Sequence, residues 1–230
     1  MYKLYTNGVF VKDSFEPVFY DNRIDVYDEY KYTIKAFSKD GSLLAEGSTV
    51  YNGTREPEGQ FYINNLYAKV GNDESYVKCD YLKGNGVPEF SQRGLSNQST
   101  IFSDRTYKYD NVPEEFMDAA YILNNYQIRA NTYFKQDTLT DFLKFDVHNK
   151  SVTVYIVVFA TNPPGWLYDQ QWTVVRYPIG FWQNATTVKK ADYVYRKRFE
   201  VGEGQSRTIT LGGIGSNATF AYGVIIVPDK

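Results

Sequence analysis

The stretch Val152-Thr153-Val154-Tyr155-Ile156-Val157-Val158-Phe159-Ala160 is nearly all apolar and largely β-branched. A strand with one wet face alternates polar and apolar residues. A run without that alternation reads as a strand buried on both faces, and it demands a covering layer on each side. It is far too short for a membrane-spanning helix, which needs about 20 apolar residues. Whatever the chain folds into must be built around a covered sheet.

The rest of the chain reads as period-two segments cut by turn residues. Thr6-Asn7-Gly8 separates residues 2–5 from 9–11, and Asn-Gly between short β-branched and aromatic runs is a strong hairpin signal. Residues 30–37 alternate, with Tyr30, Tyr32, Ile34 and Ala36 on one side. Lys39-Asp40-Gly41 turns the chain into 42–51, and Asn52-Gly53 turns it again. Residues 60–70 and 75–82 pair around Gly71-Asn72-Asp73. Residues 1–82 are thus expected to form an antiparallel meander or small sandwich. Residues 83–112 are rich in Gly, Ser, Gln and Asn and are expected to be a polar loop or an arm that orders on a partner.

Residues 113–230 are expected to open with a helix and continue as a second β-sandwich. Pro113-Glu114-Glu115 suits a helix start, with acids at the positive end of the dipole. Phe116, Ala119, Ala120 and Leu123 then share a helical face, and Asn124-Asn125 ends it. Thr138-Leu139-Thr140-Asp141 suggests a second short helix start. Strands are expected over 152–160, 171–177, 193–201, 207–211 and 219–227. No internal repeat of fixed period occurs. The fold expected is mainly β, an antiparallel β-sandwich or jelly roll with one or two short helices.

Composition removes several function classes. Lys and Arg number 25 against 27 Asp and Glu, so no excess positive charge neutralises phosphates and a nucleic-acid partner is not expected. With 43% hydrophobic residues, including 22 Tyr and 15 Phe, the chain can bury enough surface to order itself. The N-terminal residues lack an apolar signal region, which reads as synthesis in a cytoplasm. One Cys and one His remove most metal and nucleophile motifs. Cys79, in an alternating run, reads as a small buried hydrophobe. His148, before Asn149-Lys150-Ser151, reads as a solvated turn residue. No catalytic residue, metal ligand or cofactor is assigned, and the chain is expected not to be an enzyme.

Five features could still carry chemistry. Gly202-Glu203-Gly204 and Gly212-Gly213-Ile214-Gly215 are each followed by β-branched residues rather than a helix, so they read as turns and not phosphate loops. Asp21, Asp25, Asp28 and Glu29 could gather around calcium, though their spacing is not that of an EF-hand. Arg196 and Arg198 share one face of a strand, blunted by Asp192 and Glu200. The sequons at Asn52, Asn97, Asn149, Asn184 and Asn217 read as chance in an Asn-rich chain. Finally, all 3 tryptophans lie between positions 166 and 182, in Pro- and Gly-stiffened segments. Trp166, Tyr168, Trp172 and Trp182 are therefore the candidate binding residues, as protein-interface anchors or as a stacking platform for glycan rings.

A leaderless, Tyr- and Asn-rich, all-β chain with polar and stiff aromatic loops and no catalytic motif resembles the virion structural proteins of tailed bacteriophages. The resemblance implies a protein made in the host cytoplasm that acts in the virion as a ring, connector, tail or head-decoration component. It would have no cofactor, and its partners would be copies of itself as a homo-oligomer and other structural proteins. The alternative is a carbohydrate-binding module or adhesin at the cell surface or secreted, using the aromatic platform.

Overall fold

The computed structural model describes residues 1–16, 29–52, 61–69, 75–79, 87–184 and 186–229, with the backbone alone at 29–30 and 51–52. The chain divides into two compact units, Met1–Glu58 and Gly59–Lys230. The division falls earlier than residue 82, because the 62–78 strand pair joins a sheet of the larger unit.

In the first unit, β1 (Tyr2–Thr6) and β2 (Val9–Ser14) form the expected hairpin. Asn7 and Gly8 carry φ of 50° and 82°, the left-handed pair that matches the twist of the flanking strands. β3 (Glu29–Phe37) and β4 (Leu43–Asn52) complete an antiparallel sheet of order β2-β1-β3-β4. Leu4 is its buried side chain among the described residues, and Lys3 covers the rings of Phe10 and Phe37.

The second unit holds β5 (Tyr62–Lys69), β6 (Tyr76–Lys78), β7 (Glu89–Ser91), β8 (Lys108–Asp110), β9 (Ala120–Leu123), β10 (Leu143–His148), β11 (Val152–Val158), the short helix α1 (Gly165–Asp169), β12 (Thr173–Val175), β13 (Gly180–Asn184), β14 (Thr187–Lys190), β15 (Tyr193–Phe199), β16 (Ser206–Leu211) and β17 (Gly223–Pro228). Antiparallel pairing makes three sheets, β16-β10-β5-β6, β12-β15-β11-β17-β9-β7 and β14-β13-β8. They pack in a sandwich-like arrangement around one continuous apolar cluster. Along β10, Leu143, Phe145 and Val147 are buried while Lys144, Asp146 and His148 are half-buried, the alternation of a strand with one inward face. Each buried side chain of this kind stabilises the fold by roughly 1.5–3 kcal/mol.

The unalternating run at 152–160 becomes β11, a strand inside the six-stranded sheet with β15 on one side and β17 on the other. Both its faces are covered, as its lack of alternation requires. Tyr155, on one face, meets Phe116 and Tyr177 at 4.5 and 6.0 Å between ring centroids.

The helix expected from residue 113 does not form. Its start is real, but Glu114–Phe116 makes one 3-10 turn, and Asp118 at φ 64° then turns the chain out of helical geometry. Ala120–Leu123 pairs with β17 instead, Ile122 opposite Val224. No helix starts at Thr138 either; Leu139 N–H bonds back to Gln136 O within a turn. Nor are the described residues of 83–112 an arm. Val87, Leu95, Ile101, Phe102, Tyr109 and Val112 are all buried. The polar residues between them hold backbone, with Asn97 Oδ1 accepting from Val112 N–H and Ser99 Oγ from Ser96 N–H.

Candidate functional site

β13 is the middle strand of the small sheet, between β14 and β8. Its phase is set by Phe181, which is fully buried. Phe181 stacks on Tyr107 at 5.5 Å and meets Phe159 and Phe220 edge-on at 4.8 and 5.2 Å. Its neighbour along the strand must therefore point the other way. Trp182 does so, with 40% of its surface exposed. Gly180 admits the close crossing of the hairpin, since a Cβ there would lie 2.3 Å from the Lys189 carbonyl oxygen.

Trp182 forms one wall of an open cleft of about 350 Å³ lined by Thr106, Lys108, Trp182, Gln183 and Asn184. Lys108 stands directly across from Trp182 in the ladder and donates from Nζ to Gln98 Oε1. Asn184 Oδ1 already accepts from the backbone N–H groups of Thr186 and Thr187 and from Thr186 Oγ1. What Asn184 can still offer is its NH₂. The cleft thus combines one broad aromatic face with amide, hydroxyl and ammonium donors, the pattern of an apolar surface with a few placed polar groups.

The other three candidates lie elsewhere in the unit's packing. Trp166 is fully buried: α1 turns it inward, its Nε1–H donates to Gly213 O at 2.8 Å, and Trp172 meets it edge-on at 5.7 Å. Trp172 is also buried, against Phe199. Both are core side chains, and neither can stack on a ligand from solvent. Tyr168, on the outer side of the same helix, is 58% exposed and lies 3.3 Å from the Tyr195 hydroxyl through its own. The expected four-residue platform therefore reduces to Trp182 at the cleft, with Tyr168 exposed on α1.

The remaining sequence candidates are also placed. Cys79 is buried, its Sγ 3.3 Å from the Val77 carbonyl. Gly202-Glu203-Gly204 lies in the turn between β15 and β16, and Gly212–Gly215 follows β16 and leads into a loop. Arg198 bonds Asp229 at 2.6 Å and pairs with Glu200, so acids do blunt the basic strand. Asp21, Asp25 and Asp28 lie outside the described residues, as does the side chain of Glu29. His148 is not a turn residue. It ends β10, half-buried, with its ring parallel to that of Tyr62 at 4.2 Å.

No protein-family model matches the chain, and no curated protein matches it. Its fold is similar to part of a solved structure, that of a beta-glucuronidase from glycoside hydrolase family 2. The TM-score is 0.51 at 14% identity, and the match covers 88% of this chain and 21% of that one. The chain thus spans a small share of that protein, and the likeness is one of fold.

Proposed function

We propose that this chain is a carbohydrate-binding β-sandwich module that holds a glycan by stacking a sugar ring on Trp182. The observation that carries the reading is the outward Trp182 beside Thr106, Lys108, Gln183 and Asn184 in an open cleft. The C–H face of a pyranose is apolar and suits an indole face, while its equatorial hydroxyls accept from amide and ammonium donors at the rim. The fold likeness to part of a beta-glucuronidase is consistent with this direction and contributes no residue to it.

Affinity electrophoresis through gels containing single soluble polysaccharides tests the reading. Wild type is expected to be retarded by at least one of them, and Trp182→Ala to lose at least tenfold in affinity while its thermal transition is unchanged. Wild-type migration unaffected by every polysaccharide would overturn the proposal. Under the assembly reading, the same substitution would instead change the mass measured by light scattering.

A further inference from the structure

The outward face of the β16-β10-β5-β6 sheet carries chemistry that the Trp182 cleft does not use. Strand β5 departs from regular pairing with β10: Lys144 faces Tyr67, yet Asp146 faces Asn64, so Asn65 and Leu66 together oppose Phe145. This is a β-bulge, and Asn65 sits in it at φ 51°, the left-handed region that non-glycine residues adopt at a cost. The extra residue keeps Leu66 buried and aims Asn64 and Asn65 outward together.

What the bulge achieves is the fixing of a carboxylate. Asn65 Nδ2 donates to Asp146 Oδ2 at 2.8 Å, and Thr208 Oγ1 from the other neighbouring strand donates to Oδ1 at 2.6 Å. Among the described residues Asp146 forms no ion pair, so its remaining lone pairs are held in a set direction without a cation to occupy them. Beside it, His148 Nε2–H donates to Asn64 Oδ1 at 2.8 Å, and the imidazole lies flat against Tyr62. Across the sheet on its other side, His148 faces Ser206, Asp146 faces Thr208 and Lys144 faces Thr210. Those three hydroxyl residues are exposed and short. A row of low hydroxyls along an edge strand, flanked on its inner side by a row of taller, oriented side chains, makes a shallow trough with a single wall.

We propose that this trough, from His148 past Asp146 along Ser206, Thr208 and Thr210, is a second glycan-binding surface that takes a neutral, extended oligosaccharide. The inference rests on the carbohydrate-binding reading and deepens it, giving the module a second contact and a substrate class. The ligand must donate, because an ionised carboxylate only accepts. Sugar hydroxyls satisfy Asp146, while a uronate carboxylate would be repelled by it; the Lys144 ammonium in the same row is turned away from β16, over the rings of Tyr67 and Tyr76. An aromatic ring held by Tyr62 offers a stacking face beside those acceptors. Two weak contacts on one module raise the affinity for a long chain over that for a short one, by effective concentration.

The protein supplies its own reporters. His148 is the sole histidine, so one imidazole resonance reads the trough, and the indole N–H of Trp182 reads the cleft. The experiment titrates wild type, Asp146→Ala and Trp182→Ala with cello-, manno- and xylo-oligosaccharides and with oligogalacturonate, by NMR. Thermal melts check that each variant is folded, and Asp146→Asn serves as the conservative variant. The expected result is a saturable shift of the His148 signal with at least one neutral series and none with oligogalacturonate. That shift should survive Trp182→Ala and weaken at least tenfold in Asp146→Ala, with Asp146→Asn in between. A Trp182 response with an unmoved His148 signal would overturn the second surface and leave the module reading intact. No response at either reporter would overturn both, and a stronger response to oligogalacturonate would overturn the neutral class.

Discussion

Two buried tyrosines should respond differently to the same edit. Tyr222 is 2% exposed, and its hydroxyl donates to the Gly212 carbonyl at 2.7 Å. Tyr109 is fully buried, and its hydroxyl has no hydrogen-bond partner among the described residues. Burial pushes both phenols well above their ordinary pKa, so both are neutral O–H groups. Replacing Tyr by Phe removes one oxygen and changes shape little. At Tyr222 it strands a buried carbonyl, at a cost of about 1–3 kcal/mol. For a domain of 150–250 residues, each kcal/mol moves Tm by about 2–4 °C, so Tyr222→Phe should melt roughly 2–12 °C lower. At Tyr109 the deleted hydroxyl was desolvated without compensation, and Tyr109→Phe should melt at the same temperature or up to a few degrees higher. Differential scanning calorimetry of the two variants and wild type is the assay. Equal downward shifts would refute the reasoning, because they would mean that the hydrogen-bond state of a buried hydroxyl does not govern its contribution in this core.

The same packing sets three further outcomes. Gly212→Ala would place a methyl 2.4 Å from both the Leu139 carbonyl oxygen and Trp166 Cδ1, and should cost about 1–3 kcal/mol or more, read as a lower urea midpoint. Iodide should quench wild-type tryptophan emission only through Trp182, and Trp182→Phe should abolish that quenching, since Trp166 and Trp172 are buried. Burial holds His148 below its ordinary pKa of 6.5, partly opposed by Asp146. The unfolded chain therefore takes up that proton first, and stability should fall as pH drops below about 6.5. Urea midpoints of His148→Gln should fall less than wild type between pH 7.5 and 5.

The fold was most legible where local signals and burial agree. The Asn7-Gly8 turn and the unalternating β11 were readable from residue types alone, and so was the sandwich class. Ala120-Tyr121-Ile122-Leu123 was not, since a short apolar run suits either period and pairing with β17 decided it. Polar letters misled over 87–112, where Asn97 and Ser99 hold backbone rather than face water. At the site, Trp182 was readable as a candidate. Its separation from Trp166 and Trp172 was not, because nothing in Pro164-Gly165-Trp166 announces an inward turn. For His148 a signal existed: Leu143, Phe145 and Val147 alternate with Lys144, Asp146 and His148, and the turn residues after them masked it.

Asn65 is a residue the core does not need. Upstream of it Tyr62 and Asn64 face out with Ile63 between them facing in; downstream Leu66 faces in and Tyr67 out. Striking Asn65 from the chain leaves strict alternation from Tyr62 to Ala68 and the same inward set over that stretch, Ile63, Leu66 and Ala68. A version of this protein one residue shorter could thus close the same sandwich, with Asp146 deprived of one of its two donors. In β5, chain length rather than residue identity separates a strand that only folds from one that also positions a carboxylate.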